Sequence, residues 1–158
     1  MDKAITTALL IVAGVVCVIF LLNSVFPMIN HSSQAMSSMA EQVDERMNSR
    51  ISIVHAANSA DRTQVYIWIK NIGTQQIDGV SKSDLFFGQQ NNYQRISNVA
   101  DAGGTFPSWD FTLENDTVWQ TSATIKITIT YSSDPGAGTY YVKFIIPNGI
   151  ADDFYFSM

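Results

Sequence analysis

Residues 4–40 contain no Lys, Arg, Asp or Glu, and that stretch limits the fold more than any other feature of the chain. Its first part, residues 4–29, is predominantly apolar. A helix rises about 1.5 Å per residue, so roughly 20 apolar residues cross a bilayer's hydrocarbon core, and this run exceeds that. Lipid obliges a backbone to satisfy its own polar groups, which makes helix the expected state despite many β-branched residues. Pro27 is expected to do no more than kink it. A cleavable secretory signal is the competing reading. Such a signal has a basic lead, an apolar run of about 7–15 residues and a small-residue cleavage site. Here only Met1-Asp2-Lys3 precedes the run, the run is longer, and no Ala-x-Ala site follows it. Lys3, the one basic residue ahead of the span, favours the N-terminus inside and the remainder outside.

Beyond the span the helical period persists. Ile29, Met36 and Val43 recur every seven residues, with Met39, Ala40 and Met47 beside them, while Glu41, Asp44, Glu45, Arg46 and Arg50 cover the other faces. One helix from about residue 5 to about residue 50 would be roughly 65–70 Å long. The stripe has two readings, packing on the chain's own head or packing on copies of itself. The length favours the second, because one small head cannot cover such a helix. The side chains expected to carry helix contacts are Leu9, Val12, Val15, Val16, Ile19 and Phe20 in the span, then Ile29, Met36, Met39, Val43 and Met47. Cys17, the sole cysteine, lies in the apolar run. It therefore makes no intrachain disulfide and reads as a small apolar residue.

After Arg50 the pattern switches to alternation. Residues 64–70 place Val65, Ile67 and Ile69 on one face and Tyr66 and Trp68 on the other. Residues 123–131 place Ile125, Ile127, Ile129 and Tyr131 inward and Thr124, Lys126, Thr128 and Thr130 outward. Residues 139–146 form a further strand between the Asp134-Pro135-Gly136 and Pro147-Asn148-Gly149 turns. Shorter strands are expected at 51–57, 84–87 and 153–156, and residues 88–107 read as a surface loop. The fold class is α+β: a long N-terminal hydrophobic helix followed by an antiparallel β-sandwich or partial-barrel head.

Composition and motifs argue against catalysis. The 158 residues carry a net charge of −5 without a basic cluster, which argues against nucleic acid as the main partner. No HExxH, CxxC, GxSxG or glycine-rich phosphate loop occurs, so no catalytic residue, metal ligand or cofactor site is expected. His31 sits just after the apolar run, and His55, in an expected strand, reads as a packed or surface residue. Asp152 and Asp153 near Asn148 are oxygen ligands in number, but a turn into the last strand is the stronger reading. Trp68, Trp109 and Trp119 read as core or interface rather than a sugar-stacking platform. Asn30-His31-Ser32 and Asn115-Asp116-Thr117 match the glycosylation sequon, and Asn115, in a polar turn, is the better candidate.

A short polar leader, Met1-Asp2-Lys3, meets a small residue, Ala4, that opens a long uncharged helix with a β head behind it. This arrangement resembles the type IV pilin superfamily, most closely its archaellin branch, the archaeal flagellins and their pilin-like accessory proteins. The resemblance implies a prepilin-type peptidase cutting between Lys3 and Ala4. Bacterial pilins carry Glu five residues into the mature helix; Ala8 stands there, in agreement with archaellins. Within the head, Val65-Tyr-Ile-Trp-Ile-Lys-Asn-Ile-Gly73 is similar to the family's strand and Lys-Asn-x-Gly turn. The stretch Gly138-Thr-Tyr-Tyr-Val-Lys-Phe-Ile-Ile-Pro-Asn-Gly-Ile-Ala-Asp152 is similar to the closing strand and Asn-Gly turn of the accessory archaellum proteins called F and G.

What the resemblance implies is a structural subunit of an archaellum-type filament, or its accessory stator component, serving motility or adhesion. Its partners would be copies of itself or other pilin-like subunits, the membrane before assembly, and the cell-surface layer. The chain then divides into a leader (1–3), a helix that is anchor and filament core (4–50) and a β head (51–158). The alternative is an anchored extracytoplasmic module binding sugar, peptide or an envelope partner. That alternative needs Tyr93, Trp109 or Trp119 exposed beside a groove.

Overall fold

The uncharged run forms a helix without interruption. In the computed structural model, which describes residues 2–158, helix α1 covers Asp2–Asn48 with Pro27 inside it. Asp2 in its first turn and Arg46 in its last complement the helix dipole. An 18-residue window within it reaches a mean hydropathy of 2.9, long and apolar enough to cross a membrane. None of its side chains is buried. The chain divides into two units, the helix as far as Val43 and Asp44–Met158.

The second unit is an eight-stranded β structure. In chain order it holds β1 (Ile51–Asn58), β2 (Gln64–Asn71), a 3-10 turn (Val80–Lys82), β3 (Asp84–Gln89), β4 (Asn92–Asn98), the one-turn helix α2 (Val99–Ala102), β5 (Ser108–Glu114), β6 (Thr124–Thr130), β7 (Thr139–Ile145) and β8 (Ala151–Ser157). The strand order is β1-β2-β6-β5-β4-β3-β7-β8. All neighbours are antiparallel except β4 and β5, which pair in parallel over two positions, Ser97 with Ser108 and Asn98 with Trp109. The chain thus passes from one four-stranded layer to the other at that corner. The sheet nearly closes: β1 and β8 are its free edges, and the Asp152 carboxylate on β8 accepts the Ile53 N–H on β1 at 2.7 Å. β1 bulges between Ile53 and His55, which breaks its alternation there.

The expected α+β architecture holds, and the six expected strands all form. Their period-2 pattern is what fills the core. Val65, Ile67 and Ile69 of β2 lie opposite Ile129, Ile127 and Ile125 of β6, and all six are fully buried. Each such side chain contributes roughly 1.5–3 kcal/mol on burial. From the other layer Leu85, Phe87, Val142 and Phe144 meet them, and Trp109 stands edge-on to Phe144 at 5.9 Å between ring centres. Residues 88–107 differ from expectation. They hold the end of β3, all of β4 and α2, joined by a Gln90-Asn91 turn with Asn91 in the left-handed region at φ 73°. β4 is poor in apolar residues because Asn92 and Gln94 take the positions opposite Gln89 and Phe87, at an exposed end of the layer. Its first half is held by its ladder with β3 rather than by burial, and Ile96 beyond it is buried in the core.

Candidate assembly helix and its junction with the head

The side chains expected to carry assembly all lie on α1 and all are exposed. They include Leu9, Val12, Val15, Val16, Ile19 and Phe20 in the uncharged run, and Ile29, Met36, Met39, Val43 and Met47 along the stripe beyond it. A helix that exposes this much apolar surface is not a stable form in water; lipid or other helices must cover it. Lys3 and Ala4 lie in the first turn, where the hydroxyls of Thr6 and Thr7 donate to the carbonyls of Asp2 and Lys3. These contacts tie local polar groups into the helix itself, as an apolar surrounding requires.

The last turn of α1 belongs with the head, and two turn motifs of the sequence meet there. Arg46 donates through Nε to the Asn148 carbonyl at 2.9 Å, and Asn148 donates through Nδ2 to the Ser49 hydroxyl at 2.7 Å. Ser49 in turn donates to the Glu45 carbonyl. This is the Pro147-Asn148-Gly149 turn, with Gly149 at φ 86°. From the other side, the backbone N–H groups of Ile72 and Gly73 donate to the Arg50 carbonyl, and that of Thr74 donates to the Asn48 carbonyl. Gly73 leaves no room for a side chain, because a Cβ there would collide with the Asn48 carbonyl and lie 2.6 Å from the Arg50 nitrogen.

Asn71 organises this junction from beneath. Its side chain is fully buried; Nδ2 donates to the Gln75 and Trp119 carbonyls and Oδ1 accepts the Gly73 N–H. The Lys70-Asn71-Ile72-Gly73 stretch is therefore a socket for the end of α1. Both motifs stand in the sequence, but nothing local in it brings them together. The shared signal was present, since each pairs an Asn whose side chain can brace a turn with a Gly that clears space.

Other expected positions fall into place individually. Asn115 is exposed in a turn at φ 58°, and Asp116 beside it is held below the ordinary carboxylate range by the Thr117 N–H and the Gln120 amide. Asp152 is engaged with Ile53, and Asn148 with α1, as a turn rather than as ion ligands. Among the described residues no group of three or more His, Cys, Asp or Glu side chains is placed to hold a metal ion. Trp109 and Trp119 are 1% and 2% exposed, so neither is free to stack on a ligand, while Trp68 lies on the outer face beside His55 at 5.4 Å. Tyr93 is exposed and forms with Tyr141 and Tyr155 a row of rings 4.8 and 4.9 Å apart.

Known proteins agree with this architecture. The chain is similar to an uncharacterised protein of Archaeoglobus fulgidus, 27% identical over 98% of both chains. In fold it is similar to the archaellum periplasmic stator protein FlaG from Sulfolobus acidocaldarius, with a TM-score of 0.60, 23% identity, and coverage of 68% of this chain and 99% of that one. It is likewise similar to a chain of the FlaF–FlaG stator complex of the same organism, with a TM-score of 0.57, 24% identity, and coverage of 67% and 87%. The family model of the archaeal-type flagellins matches residues 4–156, nearly the whole chain, and the protein belongs to that family.

Proposed function

We propose that this protein is a pilin-like structural component of an archaellum, held in the membrane by the span at 4–29 before assembly and held to neighbouring subunits by the same helix afterwards. The observation that carries the reading is the uninterrupted helix Asp2–Asn48, uncharged from Ala4 to Ala40 and exposed throughout that length. Two environments require that pattern, a bilayer and a core of packed sister helices, and the pilin-like life cycle uses both in turn. Membership of the archaeal-type flagellin family supports it.

Between filament subunit and stator, the likeness of the fold to two stator structures supports an accessory, stator-type placement, with the head outside the membrane near the cell-surface layer. Processing between Lys3 and Ala4 by a prepilin-type peptidase is part of the proposal, and Asn115 is the position offered for a glycan. Mass spectrometry of the native N-terminus in membrane and sheared-surface fractions tests it. A chain beginning at Ala4 is expected, in the membrane fraction for a stator component and in the sheared fraction for a filament subunit. An intact Met1 in every fraction contradicts the processing.

A further inference from the structure

Pro27 lies inside α1. Proline has no N–H, so the carbonyl of Asn23, four residues earlier, loses the donor that an α-helix would otherwise supply. Asn23, Pro27, Asn30 and Gln34 follow at spacings of four, three and four, which places them on one line of the helix. With Phe26 and His31 they line a shallow concavity of about 400 Å³. Thr6, Thr7 and Ser38 turn their hydroxyls back onto carbonyls of their own helix. Among the described residues the Asn23, Asn30 and Gln34 amides make no such bond. The concavity thus gathers unpaired donors and acceptors, and an extra backbone acceptor, on a segment that assembly would place in a dry surrounding.

The same line continues toward the N-terminus as Leu9, Val12, Val16 and Ile19, at alternating steps of three and four. Leu9, Val16, Asn23 and Asn30 stand seven apart, the spacing of a helix-packing seam. An apolar seam alone lets helices slide by a heptad with little change in energy. Two Asn residues seven apart restrict that freedom. In register both amide pairs meet; a slip of one heptad pairs Asn23 with Asn30 but leaves the other two amides unpaired in an apolar surrounding, and a slip of two leaves all four unpaired. Asn carries both donors and an acceptor, so two Asn amides complete each other, and the same position on a second copy would supply such a partner.

We infer that Asn23 and Asn30, with the Asn23 carbonyl released by Pro27, fix the axial register between copies of α1. This rests on the helix-mediated assembly proposed above and names the residues that set its geometry. The whole chain in dodecylphosphocholine micelles, spin-labelled at its native Cys17, reports it. The wild type is expected to give one narrow distance between labels. Replacing both residues (Asn23→Leu with Asn30→Leu) is expected to broaden that distribution and to weaken self-association about 3- to 30-fold. A double variant with the same narrow distance and an unchanged or tighter association overturns the register role while leaving the assembly reading intact. A wild type that stays monomeric overturns the register role, because no helix pairing is then left for the two residues to set, while assembly is tested separately by the fractionation above.

Discussion

Asn71 is the residue on which the junction depends. Replacing it with Ala removes two donations and one acceptance in a fully buried position, and each unmet buried partner costs about 1–3 kcal/mol. Asn71→Ala is expected to destabilise the head by about 3 kcal/mol in denaturant unfolding; a loss under about 1 kcal/mol would contradict its role. Tyr131 makes a different prediction. Burial, then the nearness of Tyr140, pushes its phenol well above the ordinary value. A raised value means the folded state binds the proton more tightly than the unfolded chain. The contribution is therefore complete below about pH 10, where an unfolded tyrosine titrates, and is lost as pH rises past it. Wild type is expected to lose stability above about pH 10 more steeply than Tyr131→Phe. Parallel profiles would show that Tyr131 is not the group responsible.

At the scale of elements, the seam between β1 and β8 is closed by a side chain rather than by a ladder. The Asp152 carboxylate meets the Ile53 N–H where β1 bulges, and a hydrogen bond to a charged group is worth about 1.5–3 kcal/mol. Asp152→Ala should lower stability by about that amount and raise amide exchange at Ile53 specifically; protection at Ile53 equal to wild type would refute the contact. The elements also show what was legible in the sequence. β2 and β6 were plain because alternate Val and Ile residues face one packed core. β4 was hidden because Asn92 and Gln94 stand exposed at the positions in phase with Ile96, leaving Ile96 as its one large buried apolar side chain. β5 was present as Trp109, Phe111 and Leu113 in alternation and went unread as a strand, although Trp109 by itself read as core or interface and is buried. The seam itself had no local signal, because Ile53 and Asp152 meet only once eight strands have wrapped around.

At the scale of the whole molecule, one sequence carries two solvents' requirements. The head buries its isoleucines in the manner of a water-soluble β-sandwich, whereas the helix exposes Leu10, Phe20 and Met36 by 70% or more. That division was legible from charge alone, since the uncharged run ends before the strand pattern begins. What the sequence did not disclose is that the Asn71–Gly73 and Asn148–Gly149 turns converge on the last turn of α1. Their partners lie 22 or more residues away in the chain, and no local periodicity connects them. The measurement that bears most directly on the central proposal is chemical cross-linking in native membranes of the wild type against Val15→Arg, with head folding monitored by protease resistance. Helix-mediated assembly predicts cross-linked higher-order species for the wild type and monomers for Val15→Arg, with the head equally resistant in both. Cross-linked species of the same size and yield from Val15→Arg would contradict it.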